Sequence, residues 1–227
     1  MKKVFGALAI VALFASCSVL DQKVAIQDGS KGQDNPIGLK GKAITVSLLG
    51  SGDVRVQGVN TTTPVVSDTF ADYKIPTIPA PAVLKGFVFE LALATSYNDD
   101  QGNAVPVSAV ISGADKVCPA SFDLTAIGGN VKLSDGLDTT GVSIAVVANP
   151  TAMTFTQTSP CTYSFTSSTL TVTVSGADFD KAKTILTNGN GLNQASATLN
   201  YTSDSAVVKG KLDLKIGGGK SFAIGGI

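Results

Sequence analysis

The sequence predicts an all-β protein, an antiparallel β-sandwich with one short helix at most, on three observations. The stretch Cys161–Ser175 (CTYSFTSSTLTVTVS) alternates apolar and hydroxyl side chains with a period of two. Charged helix-forming residues are scarce, since the chain has one Glu, Glu90, and one Arg, Arg55. Several short runs rich in Val, Thr and Ser are separated by Gly, Asn and Asp, which favour turns.

We expect Cys161–Ser175 to form a hairpin that turns at the Ser-Ser dipeptide in its middle. In that register Phe165 faces Leu170 and Tyr163 faces Val172, so the apolar side chains share one face and the hydroxyls the other. A register shift of one residue would mix the two faces. The stretch is therefore predicted to be a half-buried pair of antiparallel strands.

The composition excludes several classes of function. The 227 residues carry no net charge, so they give no electrostatic signal for binding nucleic acid. There is no His, which removes Ser-His-Asp and Cys-His catalysis and His-ligated metals. We expect the chain not to be an enzyme, and we predict no catalytic residues, no cofactor and no metal site.

Residues 1–16 (MKKVFGALAIVALFAS) have the features of a secretion signal. Two Lys precede an apolar run, Val4–Phe14, that ends in small residues and is too short to span a membrane. One interpretation is that these residues are an ordinary signal peptide and that the Cys after them, Cys17, is incidental.

The four residues Phe14-Ala15-Ser16-Cys17 resemble the lipobox of bacterial lipoproteins, in which the Cys is acylated and becomes the mature N-terminus. That family prefers Leu where this chain has Phe14. The resemblance implies a membrane anchor at Cys17 on the extracytoplasmic side of the cell envelope. Ser18, in place of Asp, implies the outer membrane or the cell surface. The resemblance covers 17 residues and implies nothing about the fold.

Residues 17–42 are predicted to be the lipidated Cys and a tether, because they are polar and include the turn-prone run Asp28–Asn35. The alternative is partial order, with Val24 or Ile26 added to a sheet edge. Residues 43–227 are then predicted to form a single β-sandwich domain.

The remaining elements follow from alternation and turn signals. Strands are predicted at Ala43–Leu49, Val54–Val59, Leu84–Thr95, Val105–Ile111, Cys118–Ala126, Asn130–Leu133, Val142–Ala148 and Met153–Thr156, and a helix at Asp178–Thr187. The proline-containing stretch Thr61–Pro81 is expected to pack along the domain because it carries large hydrophobic residues. A second hairpin is predicted at the end of the chain, with Tyr201 facing Val208.

Cys118 and Cys161 are each expected to point toward the core at the start of a strand. Cys118 shares a face with Phe122, and Cys161 shares one with Tyr163. With Cys17 acylated, the remaining two cysteines in an oxidising compartment predict a Cys118–Cys161 disulfide. Two buried free thiols are the alternative.

Three candidate chemical sites are weak. Gly217–Ser221 (GGGKS) lacks the following helix that a phosphate-binding loop requires, so a Gly-rich hairpin turn is expected there. Oxygen ligands for calcium are available in the turns Asn98–Asn103, Asp135–Asp138 and Asp178–Asp180, but none has the spacing of a known calcium loop. Glu90 is expected on the outward face of its strand, opposite Phe87–Leu93.

Two functions are compatible with a lipid-anchored β-sandwich that lacks catalytic residues. The first is a non-enzymatic surface lipoprotein that serves as a structural, adhesive or assembly-partner β-module, with an envelope protein as its possible partner. The second is a carrier that holds a lipid or another apolar ligand in a cavity lined by Phe87–Leu93. The ligand-binding residues of either one cannot be assigned from the sequence.

Overall fold

Strands make up most of the computed structural model, which describes residues 22–25, 27–28, 36–49, 60–67, 69–70, 73–74, 78, 80, 82–98, 103–135, 141–187, 192–203 and 208–226. The strands are β1 Gln22–Ala25, β2 Gln27–Asp28, β3 Ala43–Leu49, β4 Asn60–Thr61, β5 Val65–Val66, β6 Tyr73–Lys74, β7 Val83–Leu93, β8 Ser96–Asn98, β9 Ala104–Pro106, β10 Ala109–Val117, β11 Ser121–Ser134, β12 Val142–Asn149, β13 Met153–Ser159, β14 Thr162–Phe165, β15 Ser168–Ser175, β16 Gln194–Ser203 and β17 Lys209–Gly226. One helix, α1, spans Phe179–Thr187, and 3-10 turns lie at Pro36–Gly38 and Gly176–Asp178. The predicted all-β class with one short helix is confirmed.

Two long strands, β11 and β17, hold the main sheet together, and two rows of strands run between them. One row is β12, β15 and β7, and the other is β13, β14 and β10. Every pairing in the sheet is antiparallel. Along the chain β12 leads into β13 and β14 leads into β15, so these two stretches bend from one row into the other, whereas β8 and β9 lie between β7 and β10. The sheet thereby folds over on itself in a sandwich-like arrangement around a buried core.

The stretch Cys161–Ser175 is such a bent strand, and the predicted hairpin within it is wrong. β14 pairs with β10 and β13, whereas β15 pairs with β7 and β12. At the junction, Thr166 donates its N–H to the Thr154 carbonyl (3.1 Å), and its hydroxyl accepts the Thr154 N–H (2.9 Å). The chain therefore does not turn back between β14 and β15 but continues alongside β13 at Thr154. The predicted inward face is correct, since Tyr163, Phe165, Leu170, Val172 and Val174 are all buried.

The predicted hairpin at the end of the chain is also wrong. β16 pairs with β11, β4 and β5, and β17 pairs with β1, β3, β7 and β10, so no ladder joins the described residues of β16 to those of β17. Both strands nevertheless alternate between a buried and an outward face, because Leu199 and Leu212 are buried while Lys211 is exposed. A period of two fixes which face is buried, and it does not fix which strand lies alongside.

Gly217–Gly219 lies inside β17 and not in the expected turn. On either side of the three glycines the strand changes neighbours, from β3 at Lys215 to β1 at Phe222. The register with β7 also shifts between Ile216 and Gly219. Glycine suits this position because the backbone bends there without a side chain in the way.

The predicted strands Cys118–Ala126 and Asn130–Leu133 are one strand, β11. Residues 121–124 pair with β13 and residues 128–133 pair with β12. Between these two parts Ala126 has a positive φ of 51° and is exposed. The irregularity lets β11 follow both rows of the sheet.

The described parts of residues 22–42 contribute to the sheet and the core, so the tether expectation needs correction there. β1 pairs with the last part of β17, as in the alternative in which Val24 joins a sheet edge. Ile37 and Leu39 are fully buried, and the Ile37 N–H donates to the Tyr73 hydroxyl (2.6 Å). Burial of these two large hydrophobic side chains explains why residues 36–42 are part of the domain.

The described residues of the stretch Thr61–Pro81 pack along the domain as expected, with Phe70 and Tyr73 buried. It follows β16 through β4 and β5, and two hydroxyls complete the ladder where the strands are interrupted. Thr62 accepts the Leu199 N–H (2.9 Å), and Ser67 accepts the Ala195 N–H (2.9 Å). Residues 50–59, with the predicted strand Val54–Val59, lie outside the described residues.

The predicted disulfide is confirmed. Cys118 and Cys161 are joined by a 2.08 Å S–S bond with their Cα atoms 5.2 Å apart. The bond ties the start of β11 to the turn between β13 and β14. Nearby, the Tyr163 hydroxyl donates to the Pro119 carbonyl (2.7 Å), and the Ile111 N–H donates to the Cys161 carbonyl (2.9 Å).

Candidate functional site

The interior face of β7 is packed with protein side chains. Phe87, Phe89, Leu91 and Leu93 are each at most 1% exposed. The Phe89 ring lies edge-on to Tyr73 with 5.7 Å between the ring centroids, and the Phe87 ring lies 5.4 Å from that of Phe179. The face that was expected to line a carrier cavity therefore has aromatic neighbours from the stretch before β7 and from α1.

Glu90 lies on the opposite face of β7, as expected. It is half-buried, and its cross-strand neighbours are Thr171 on β15 and Lys220 on β17. Lys220 belongs to the GGGKS run, which lies within β17. Neither a phosphate loop nor a general acid can be assigned from these positions.

Of the three turns considered for calcium, only Asp178–Asp180 is wholly described, and both of its carboxylates are exposed. Searching the described part of the chain finds no cluster of three or more His, Cys, Asp or Glu side chains suited to a metal ion. Cys17, the predicted acylation site, lies outside the described residues.

An open groove of about 550 Å³ lies where β7 begins and β15 ends. We call it the β7–β17 groove, and its lining residues are Leu84, Lys85, Gly86, Thr173, Ser175, Gly176, Phe179 and Ile224. Gly86 lies at its centre, because Ser175 and Ile224 are the direct cross-strand neighbours of Gly86 on the two sides. A methyl group at Gly86 would come within 2.5 Å of the Val174 carbonyl oxygen, so the close approach of β15 requires glycine.

The lining of the β7–β17 groove suits an apolar or interfacial contact. Leu84, Phe179 and Ile224 are half-buried and supply apolar surface, and Lys85 supplies one cationic group at the rim. Just before the groove, Val83 is 59% exposed. The lining brings together one ionisable side chain, hydroxyls and apolar groups, a set that includes no acid–base pair.

The groove lies at the end of the sheet where the chain enters it. Gln22 pairs with Gly225, and Gly225 pairs with Leu84 on its other side. Adjacent strands are about 4.8 Å apart, so Leu84 lies about 10 Å from Gln22 across the sheet.

A second, shallower groove of about 350 Å³ lies on the outer face of β3, β10 and β17. Its charged residues neutralise one another in part. Lys209 lies 3.9 Å from Asp115, and beside the groove the Thr45 hydroxyl donates to the Asp213 carboxylate (2.6 Å). Surface pairs of this kind contribute little to stability and are typical of a solvated sheet face.

Sequence reasoning missed the β7–β17 groove, although one signal pointed to it. β7 is apolar on both faces, since Leu84 and Val88 alternate with the buried Phe87 and Phe89. Val88 is only 4% exposed although it lies on the outward face. Such outward apolar side chains show that this face is not simply solvated: Val88 is covered within the domain, and Leu84 lines the groove.

Comparison with known proteins gives no relative from which to transfer a function: no protein-family model, no curated protein and no solved structure matches the chain. Among the helical residues that the structure describes, none forms a helix long and apolar enough to span a membrane.

Proposed function

We propose that this chain is a cell-envelope lipoprotein, held on the extracytoplasmic side of a membrane by an acylated Cys17, whose β-domain is a non-enzymatic structural, adhesive or assembly module. The observation that carries the proposal is the Cys118–Cys161 disulfide. Disulfides persist in oxidising compartments, which agrees with the secretion signal at residues 1–16. The chain has three cysteines, so this bond leaves Cys17 as the one within the lipobox-like residues.

The packing of β7 favours the module over the carrier. A carrier would hold its ligand against the face Phe87–Leu93, and the rings of Tyr73 and Phe179 already lie against that face. Accessible apolar surface lies outside the core, and the β7–β17 groove is one part of it. An outward surface of this kind suits contact with a membrane or an envelope partner.

Fractionation of cells that produce the wild-type chain or Cys17→Ser tests the anchor. We expect the wild type in the membrane fraction and Cys17→Ser in the soluble envelope fraction, because acyl chains supply about 0.8 kcal/mol per buried CH₂. Ser18→Ala is the matched control and should remain with the membrane. Membrane retention of Cys17→Ser would mean that something other than an acyl group holds the protein there.

Crosslinking of intact envelopes, followed by pull-down and mass spectrometry, tests the module. We expect a specific envelope protein to be captured by the wild-type chain and no lipid to be extracted from the protein's interior. Stoichiometric lipid extracted from the Cys17→Ser protein, which lacks its own acyl chains, would instead identify a carrier.

A further inference from the structure

The chain between Cys17 and the folded domain is short. β1 begins at Gln22 and pairs at once with β17. A fully extended chain spans at most about 3.6 Å per residue, so the five steps from Cys17 to Gln22 cover at most about 18 Å. This limit follows from covalent geometry and holds for any conformation of residues 18–21.

The β7–β17 groove lies within that distance. Its Leu84 is two strand spacings, about 10 Å, from Gln22. Val83, 59% exposed, pairs with Gly226 at the same end of the sheet. An acyl group on Cys17 would therefore hold this end of the domain at the membrane surface.

From these observations we propose that the β7–β17 groove and Val83 rest against the bilayer that holds Cys17, with Leu84, Phe179 and Ile224 at the headgroup level. This inference depends on the acylation proposed above. The occupant is the lipid surface, because the link keeps that surface at high effective concentration next to the groove.

The chemistry of the groove fits a lipid interface. Exposed Val and half-buried Phe, Leu and Ile side chains gain from leaving water for the headgroup–acyl boundary. Lys85 lies beside them at the rim and carries a long aliphatic stem that can lie along apolar surface. At the other end of β17, Lys209, Lys211 and Asp213 are exposed and suit solvent.

The absence of Trp from the chain allows a direct test with a single reporter. Val83→Trp places it at the groove end, and Val117→Trp is the matched control. Val117 is 48% exposed and pairs with Lys209, at the opposite end of β17 from Gly226. Each acylated mature variant is reconstituted into vesicles of phosphatidylethanolamine and phosphatidylglycerol containing brominated lipid, after circular dichroism has verified the fold.

We expect the brominated lipid to cause a loss of Trp fluorescence at position 83 and to leave position 117 unchanged. If brominated lipid causes the same fractional loss of Trp fluorescence at both positions, in protein whose mass shows the acyl group, the docking is overturned and the lipid anchor remains. A reporter at position 83 that is shielded from water but unaffected by brominated lipid, in a protein that light scattering shows to be dimeric, would assign the groove to a second copy and overturn the docking as well. Protein that lacks the acyl mass would overturn both proposals.

Discussion

Gln22 and Gly225 are direct cross-strand neighbours, so the chain enters the sheet beside its own C-terminal strand, five residues after Cys17. This pairing means that the proposed anchor leads almost directly into the fold. It also places the anchor at the end of the sheet that carries the β7–β17 groove. The orientation proposed for the domain on the membrane depends on this one pair.

Gly128 and Gly129 are neighbours in β11 and should respond differently to a methyl group. At Gly129, with φ of 144°, a Cβ would collide with the Thr198 carbonyl oxygen and lie 2.9 Å from the Leu199 Cα. At Gly128 the nearest atom, the Val146 oxygen, would be 3.6 Å away. We expect Gly129→Ala to lower the free energy of unfolding by about 3 kcal/mol or more, combining strain and overpacking.

Gly128→Ala is the control, and we expect it to change the free energy of unfolding by less than about 1 kcal/mol. Urea denaturation measures both variants. Equal stability of the two would contradict the register between β11 and β16.

The Tyr201 hydroxyl forms hydrogen bonds with the backbone of Ser47 at the edge of β3. It accepts the Ser47 N–H (2.9 Å) and donates to the Ser47 carbonyl (2.8 Å). We expect Tyr201→Phe to lower the free energy of unfolding by about 1–3 kcal/mol, because both backbone groups lose their partner. Ser143→Ala, on an exposed position of β12, is a control for loss of a hydroxyl. If Tyr201→Phe proves as stable as Ser143→Ala, water replaces the tyrosine and these hydrogen bonds do not stabilise the edge.

The disulfide should make stability sensitive to reductant. It closes a loop with a sequence separation of 43 residues. Loop-closure entropy predicts a loss of about 4 kcal/mol when Cys118 and Cys161 are both replaced by Ala. Thermal melts with and without dithiothreitol check this, and the double variant serves as the control because reductant should not affect it. A wild type whose melting temperature is the same in reductant would refute a structural role for the bond.

Stability should decline at alkaline pH. Burial raises the pKa of the Tyr163 hydroxyl and of the Tyr201 hydroxyl above the ordinary value of 10, although the hydrogen bond with Ser47 lowers the pKa of Tyr201 in part. A folded-state pKa above the unfolded value gives a contribution that is complete below about pH 10 and is lost as the pH rises through the folded-state pKa. Unfolding free energies across this range should fall, and Tyr201→Phe should fall less steeply.

The alternation of side chains predicts faces well and partners poorly in this protein. Phe165 and Leu170 were placed on the core side correctly, because burial depends on a local period of two. Their assignment to two facing strands was wrong, because the chain does not turn between them. Thr166 is hydrogen-bonded to Thr154, so the chain runs on from β14 to β15 alongside Thr154. Whether the chain turns or bends here depends on the strands with which β14 and β15 pair. Those strands are distant in sequence, so the local residues do not determine the outcome.

The N-terminal segment and the groove show the same limit. A polar, turn-prone run indicated a tether, yet Ile37 and Leu39 find a place in the core that only the assembled strands create. The β7–β17 groove joins residues 84–86, 173–179 and 224, and three distant segments cannot be brought together by periodicity. The disulfide could be predicted because three cysteines, with Cys17 expected to be acylated in an oxidising compartment, left one pairing.

Mass spectrometry of the N-terminal peptide from membrane-extracted protein tests the central claim most directly. The account predicts that the mature chain begins at Cys17 and that this residue carries the added mass of a diacylglyceryl group. A chain in which Cys17 is unmodified and internal would contradict the lipid anchor and, with it, the proposed docking of the β7–β17 groove on the bilayer.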